Sequence, residues 1–547
     1  MPRISILLYF LFISIAGLGQ INITYPTSRA VFQRNNSNQC SIYIAGNFTQ
    51  KATKIEAKAI ARTMSPTQGT STSWQTLVTN PQNGFYSGTI TLQGGWYDIY
   101  VRAWQNNTLL GTDSLQRVGV GEIFVIAGQS NATGAEELRQ VGNYGTSASD
   151  DRVSFVNYST NWSQDYSKVV LPLAVFQHAD STSRIAPMGV SGWCWGALGD
   201  LLARRLNVPI AFFNAAWPSC QVGIWSSTAN DSTLSAPFIY PLPKGIPYGH
   251  LRTALNFYIA QFGIRAVLWH QGETDNAFST TRVDYATQLK NVIEKSRIHS
   301  NKPNLTWVVS RVSYFKGLGL TTARTWQPII DAQNDVIGLN GISQTGYTTK
   351  VVAGPQTDNY TGPRYRDSDD VHFKGLGHST VAGLWSNALT DSFFQTTTPY
   401  LPLSLPTVYN TCVSSNKLNI QLNASFSNVQ WTRNTTATDT VASLSNISAT
   451  SGSYIARVKD IRGNILLTPK INIPSNFSGL IPIQSLATGN WNNANTWSCG
   501  RIPTILDDVT IQAGHLITLP TAGTGNFRDL TINGQVIFTA TSFLKNN

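Results

Sequence analysis

Gly121-Glu122-Ile123-Phe124-Val125-Ile126-Ala127-Gly128-Gln129-Ser130-Asn131 is the stretch whose reading decides the fold. Four successive apolar residues, Ile123 to Ile126, predict a strand buried on both faces. Ala127-Gly128 ends it with side chains small enough for a sharp turn, and a polar Gln-Ser-Asn follows. An open α/β sheet holds its ligand crevice beyond the carboxyl ends of its strands. Ser130 therefore stands where an exposed nucleophile can sit. Taken alone, Gly-Gln-Ser-Asn is more simply a β-turn, so the rest of the chain has to supply the serine's partners.

On either side of that strand the rhythm of the chain changes. From 119 to 395, strands expected at 122–127, 153–157, 209–214, 265–269, 305–311 and 350–353 alternate with helical patterns at 193–206, 250–261, 283–298 and 324–336 and after Gly375. This alternation predicts a parallel sheet with helices on both faces. The Pro-, Ser- and Gly-rich segment 215–248 lacks periodicity, and so long a loop inside a domain is usually functional. Before it, residues 20–118 read as a small β-sandwich, with Trp74, Trp96 and Trp104 expected to fill its core. Residues 396–404 form a linker. Beyond it, 405–480 reads as an immunoglobulin-like β domain and 481–547 as β-rich, with the spacing of the first turns of a β-solenoid.

Composition bounds the function. The chain has 547 residues, too many for one core. Charged residues make up only 12%, and the net charge of +11 is spread without a block of Lys or Arg. A mildly basic, Ser/Thr/Asn-rich surface is expected, and no nucleic-acid partner. Residues 1–19 combine Arg3, an apolar run from Ile4 to Ile15 and small residues at Ala16, Gly17 and Gly19. That is the pattern of a secretory signal, and the run is short of the ~20 residues that span a bilayer. A secreted, periplasmic or cell-surface protein with no membrane span is expected. Five cysteines form no disulfide framework; Cys194 and Cys220 either pair or remain buried thiols.

A nucleophilic serine needs a base. Of the seven histidines, His372 has a carboxylate pattern that stands out, Asp367-Ser368-Asp369-Asp370-Val371-His372. An Asp three residues before a His on a loop can curl back to the imidazole Nδ1, which leaves Nε2 free to take the serine proton. Asp370 competes with Asp369 for that part. The order Ser, Asp, His is shared with α/β-hydrolases, but Gly128-Gln129-Ser130-Asn131-Ala132 lacks the second glycine of their nucleophile elbow. Oxyanion donors are expected from the backbone N–H of Ser130 and the side-chain amide of Gln271, in Trp269-His270-Gln271-Gly272-Glu273. Glu273 would orient that amide or the neighbouring loop. His270 and Glu273 lack a third ligand at metal spacing, so neither metal nor cofactor is expected.

Gly128-Gln129-Ser130-Asn131, Trp269-His270-Gln271-Gly272-Glu273 and Asp369-Asp370-Val371-His372, in that order, resemble the SGNH-hydrolase superfamily. The resemblance is to its branch of sialate O-acetylesterases and related carbohydrate acetylesterases. It implies a flavodoxin-like three-layer α/β domain flanked by all-β domains, and metal-free removal of acetyl groups from sialic acid or from plant or bacterial polysaccharide. By that resemblance Ser130 is the nucleophile, His372 the base, Asp369 its orienter and Gln271 the oxyanion amide. Asn214-Ala215-Ala216-Trp217-Pro218-Ser219-Cys220-Gln221 departs from the family's Gly-Gly-Thr block. Pro218 has no N–H, so Ser219 would have to donate. Two other readings share these residues: an esterase or lipase of the same fold acting on other acyl chains, and a catalytically impaired glycan-binding surface protein.

Overall fold

The structure is a computed structural model. It describes residues 20–546, apart from 65, 82–83, 136–137, 140, 158–173, 232–241, 243, 318–319, 341–349, 415–416, 423, 434–439, 443–444 and 474–479. The expected leader, residues 1–19, lies outside the described residues.

The described residues begin with β1 (Ile21–Tyr25), β2 (Val31–Gln33), β3 (Gln39–Phe48), β4 (Lys54–Ala61), β5 (Gln75–Thr79), β6 (Phe85–Gln93), β7 (Gly95–Gln105) and β8 (Thr108–Gly128). One antiparallel sheet runs β1-β3-β6, and the other pairs β5, β4, β7 and β8. Alternate side chains of the two sheets, among them Ile42, Ile44, Ile90, Ile55, Ala57, Ile99 and Val101, are buried, as the period of two predicts. Trp96 joins that core, but Trp74 and Trp104 do not. They are half-exposed on the outer face, where the Arg102 guanidinium lies 4.0 Å from the Trp74 ring and 4.9 Å from that of Trp104. Facing Arg102 on β7 and, for Trp104, Lys54 across the strand pair, these rings gain cation–π contact instead of core packing.

β8 is 21 residues long and crosses the boundary drawn at 118/119 without a break. Its first half pairs antiparallel with β7, and its second half is the central strand of the parallel sheet. That sheet continues with β9 (Val153–Asn157), β10 (Val175–His178), β11 (Ile210–Asn214), β12 (Ala266–His270) and β13 (Trp307–Arg311). A hairpin, β14 (Phe315–Gly317) and β15 (Leu320–Arg324), precedes the last strand, β16 (Val351–Gln356). The spatial order is β10-β9-β11-β8-β12-β13-β16, parallel throughout except β10. Every strand expected in this segment is present within a few residues of its predicted bounds, except that β8 begins at Thr108 rather than at 122.

The apolar run of β8 is explained by its two faces. Phe124 and Ile126 pack with Trp195, Leu198, Leu202 and Trp385, whereas Ile123 and Val125 belong to a second cluster with Leu289, Val292, Ile293 and Val336. The helices are α1 (Ser130–Thr133), α2 (Trp195–Leu206), α3 (Val222–Ala229), α4 (Tyr248–Phe262, with a π-helical turn at 254–258), α5 (Glu273–Ala277), α6 (Arg282–Ser300), α7 (Gln327–Ile337), α8 (Leu376–Ala388) and α9 (Asp391–Thr396). α3 corrects the expectation of an unstructured 215–248, of which 232–241 and 243 lie outside the described residues.

A buried carboxylate fastens the start of the central strand. Glu122 accepts from Arg265 at 2.8 and 2.9 Å, from Arg34 at 2.9 Å and from Gln33 Nε2 at 2.7 Å, and neither Glu122 nor Arg265 is more than 1% exposed at its side chain. Glu122→Ala should leave the Arg265 guanidinium buried without its counter-ion, at a cost of about 3–5 kcal/mol in chemical denaturation. A loss below about 1 kcal/mol, the range of exposed pairs, would contradict that reading.

Past the α/β segment, strands Val408–Ser414, Lys417–Leu422 and Asn446–Ala449 form one antiparallel sheet, and a second is built around Asn428–Arg433 and Gly452–Lys459. Between 483 and 546 all strand pairs are parallel. Ile483–Gln484, Asp508–Ile511 and Asp529–Ile532 make one ladder, Gly489–Asn490, Leu516–Leu519 and Gln535–Phe538 another, and Thr524–Phe527 pairs with Phe543–Asn546. Asn256 Nδ2 donates to Gly463 O at 3.1 Å and Asn472 N to Asn47 Oδ1 at 3.0 Å, so this C-terminal part touches both preceding units. The protein is thus multidomain, with β-rich units around an α/β segment. Cys499 is disulfide-bonded. Cys194 and Cys220 are both buried free thiols, which excludes their pairing in this structure, and burial pushes both thiols' pKa up. No helix among the described residues is long and apolar enough to cross a membrane.

Candidate active site

The site grows from the end of β8. Gly128 has φ +136°, and a Cβ there would stand 2.0 Å from the carbonyl oxygen of His270, its partner on β12. Only glycine lets the two strand ends run this close. Gln129 N then donates to His270 O at 3.0 Å, and the chain turns into α1 with Ser130 as its first residue. Helix-opening N–H groups have no intrahelical acceptor, so the Ser130 N–H is free for another.

His372 reaches this serine from the loop before α8. Its Nε2 lies 2.8 Å from Ser130 Oγ and its Nδ1 2.6 Å from Asp369 Oδ2. The loop is held in shape by the same carboxylate, since Asp369 Oδ1 accepts from Val371 N at 2.8 Å and His372 N at 3.0 Å. Burial raises the pKa of Asp369, but the hydrogen bond and charge of His372 and the two backbone donors outweigh it and hold the carboxyl down at about 2. Asp370 faces elsewhere: at φ +56° it accepts from Tyr314 Oη at 3.0 Å and Gly362 N at 3.2 Å. Ser130 is 5% exposed and the His372 side chain 15%, so the pair opens on a narrow face.

The loop after β11 is fastened against the same strand end. Ala215 N donates to Ile126 O at 2.8 Å and Trp217 N to Gly128 O at 2.9 Å, while Asn214 Nδ2 donates to Ala132 O at 2.8 Å. Ser219 follows in the left-handed region, at φ +56°. That conformation is the one a glycine would take without strain, which links this residue to the glycine-bearing block it replaces.

Gln271 is a correction. Its amide is fully buried and turned inward, where Nε2 meets Asp275 Oδ2 at 2.5 Å, Cys220 O at 3.1 Å and Gln129 Oε1 at 3.2 Å. Its Oε1 lies 2.9 Å from Tyr285 Oη. An amide nitrogen has two hydrogens, and buried acceptors already claim both, so none is left for an oxyanion. The strongest of them is Asp275, whose own pKa burial pushes up to about 6. Glu273 likewise does not touch Gln271. It is fully buried, its Oε1 accepts from Asn131 Nδ2 at 2.9 Å, and burial raises its pKa against the opposing pull of Asn131 and Arg366. His270 is neutral, its pKa pushed down to about 3 by burial. Among the described residues no group of three or more His, Cys, Asp and Glu side chains is arranged to hold a metal ion.

Two residues that sequence reasoning passed over belong here. Gln129 Oε1 accepts from Thr274 N at 3.1 Å as well as from Gln271, locking the start of the nucleophile turn to the β12 loop. Asn131 does the same for the His372 loop. Both lie inside the motif that drew attention to Ser130, and nothing local to them shows what they reach.

Residues 120–348, less than half of the chain, match the model of the family described as carbohydrate esterase, sialic acid-specific acetylesterase. Asp369 and His372 lie beyond that match. Among solved structures the chain aligns with a carbohydrate acetylesterase from Xanthomonas citri, at 16% identity, over 84% of this chain and 99% of that one, with a TM-score of 0.40. A protein from Arabidopsis thaliana aligns at 14% identity over 50% of this chain and 98% of that one, with a TM-score of 0.33. A salicylyl-acyltransferase from a tetracycline biosynthetic pathway aligns at 10% identity over 65% and 80%, with a TM-score of 0.27. The curated proteins contain no match to the sequence. The segment 120–348 thus matches the carbohydrate esterase family of sialic acid-specific acetylesterases.

Proposed function

We propose that this chain is an exported serine esterase that removes O-acetyl groups from carbohydrates. One observation carries the proposal: His372 is within hydrogen-bond distance of Ser130 Oγ on one side and Asp369 on the other. Ser130 Oγ attacks the acetyl carbonyl carbon as His372 Nε2 takes its proton. The negative charge on the former carbonyl oxygen is met by the N–H groups of Ser130 and Ser219. Collapse breaks the ester bond, His372 returns the proton to the sugar oxygen, and the acetyl group stays on Ser130. Water attacks this acyl-enzyme as His372 takes its proton, and His372 returns that proton to Ser130 Oγ as the acyl–oxygen bond breaks and acetate leaves. Asp369 keeps the imidazole in the tautomer with hydrogen on Nδ1.

In this proposal the central domain, 119–395, is a flavodoxin-like three-layer unit with a parallel strand, β9, added beside β11. Residues 20–118 are a β-sandwich that shares β8 with it, 405–480 an immunoglobulin-like domain and 481–547 the start of a β-solenoid. The leader read at 1–19 would carry the protein out of the cell.

Acetate release measured across acetylated xylan, pectin and sialosides, alongside acetyl, butyryl and longer p-nitrophenyl esters, tests the substrate class. Acetate release from at least one glycan and a fall in rate beyond acetyl are expected. Inertness toward every glycan with faster turnover of longer chains would favour an esterase of other acyl groups. A second test addresses the oxyanion donor. Ser219→Gly keeps the N–H and relieves a left-handed conformation that costs an L-residue about 1 kcal/mol. Hydrolysis should stay within about threefold of the parent, whereas a loss approaching the ~100-fold typical of a missing donor would mean that the hydroxyl is the group in use.

A further inference from the structure

We propose that Asn131 is a positioning residue for His372, bracing the base loop against the nucleophile turn; the inference rests on the esterase reading for its kinetic consequence and on geometry for the brace itself. Asn131 Oδ1 accepts from Phe373 N at 3.1 Å, and its Nδ2 donates to Val371 O at 3.2 Å. One side-chain amide thereby binds the backbone on both sides of His372, as a neighbouring strand would. Because Asn131 directly follows Ser130, the group that holds the base and the group the base serves sit on the same turn. Their partners are about 240 residues away in sequence.

The amide can act as a brace only if it cannot turn over. Its second Nδ2 hydrogen is directed to Glu273 Oε1 at 2.9 Å. Reversing the amide would set Oδ1 against two acceptors, Glu273 Oε1 and Val371 O, and Nδ2 against the Phe373 N–H, losing every bond at once. Glu273 therefore fixes the direction of the brace through Oε1 acting as an acceptor. Arg366 donates to Val371 O from the other side, so that carbonyl keeps a partner without Asn131. The Phe373 N–H does not, and Phe373 is 1% exposed. Loss of Asn131 is thus expected to free one side of His372 in particular.

What a loosened loop does follows from the 2.8 Å contact between His372 Nε2 and Ser130 Oγ. Displacing a reacting group by about 1 Å can cost on the order of a hundredfold in rate without touching substrate affinity. A fold-stabilising role alone would not act through His372, and a double-mutant cycle separates the two.

The experiment compares the full chain with Asn131→Ala, His372→Ala and the double variant in p-nitrophenyl acetate hydrolysis. Hydrogen–deuterium exchange is followed over residues 367–375. Asn131→Ala is expected to lower kcat by roughly 10- to 100-fold with KM within about threefold. It should cost nothing further in the His372→Ala background, and it should speed exchange at Phe373 with protection of the α/β core unchanged. An equal loss in both backgrounds, or an unchanged kcat, overturns the action through His372, and unaltered exchange at 367–375 overturns the brace. If Asn131→Ala fails to fold, Asn131→Asp, equal in size but without the donor to Val371 O and Glu273, carries the same cycle and the same exchange measurement. Full activity of His372→Ala would sink the Ser130–His372 mechanism, and the exchange data would still decide the brace.

Discussion

Ser130→Ala is expected to abolish hydrolysis of p-nitrophenyl acetate and of acetylated glycans, by roughly 10³- to 10⁶-fold, while leaving the fold intact. The size of the loss follows from the covalent route. Without Oγ no acyl-enzyme forms, and what remains is the help that oriented N–H groups give to direct attack by water. The absence of a folding effect follows from the surroundings of the hydroxyl. Its hydrogen-bond partner is the His372 imidazole, which already has Asp369 on its other nitrogen. Alanine removes a single oxygen at the mouth of the site and leaves the α1 turn, where helix propensity favours it. Thermal unfolding within a few degrees of the parent, together with undetectable turnover, is the expected pair of results. Full residual activity would remove Ser130 from the chemistry and assign the attack to another nucleophile.

What the sequence could and could not show divides along locality. The strand at Ile123–Ile126 is legible because a parallel strand covered on both faces must be apolar at every position, and both clusters that cover it are present. Asp369 and His372 are three residues apart, so their contact is a property of one loop. Gln271 shows the opposite case. Its place at the end of β12 is readable, but the direction of its amide is decided by Asp275, Cys220 and Gln129, which come from the next helix, the β11 loop and the turn after β8. A buried carboxylate outcompetes an empty oxyanion position, and no motif records that competition. Glu122 and Arg265 were equally silent: a charge inside an apolar run looks like an interruption until its counter-ion, 143 residues on, is seen. Trp104 on β7 and Trp74 just before β5 are hard to place for a related reason, since an aromatic at a sheet satisfies itself in a core or against a cation, and sequence alone does not say which. The continuity of β8 hides the junction between the sandwich and the parallel sheet, because a strand that changes partners midway changes burial but need not change composition.

Asp369→Asn separates the two adjacent acids and tests the electrostatic half of the mechanism. Asparagine can keep Oδ1 as acceptor for Val371 N and His372 N, so the loop retains its turn. At the other position an NH₂ replaces Oδ2 and meets Nδ1. A donor there favours the tautomer with its hydrogen on Nε2, which points a hydrogen at Ser130 where an acceptor is needed. Turnover should fall by roughly 10⁴-fold at neutral pH, with little change in KM or in thermal stability. The held-down pKa of Asp369, about 2, adds a sign that can be checked. A carboxyl whose folded pKa lies below its unfolded value stabilises the fold above the unfolded pKa, and that contribution is lost as pH falls toward 2. The parent should therefore lose stability relative to Asp369→Asn as pH drops from about 4 to 2, and the two should run parallel above it. Asp370→Asn provides the contrast. Its partners are Tyr314 and Gly362, neither in contact with the imidazole, so an activity loss above about tenfold in that variant, with Asp369→Asn nearly unchanged, would transfer the acid's part from one residue to its neighbour.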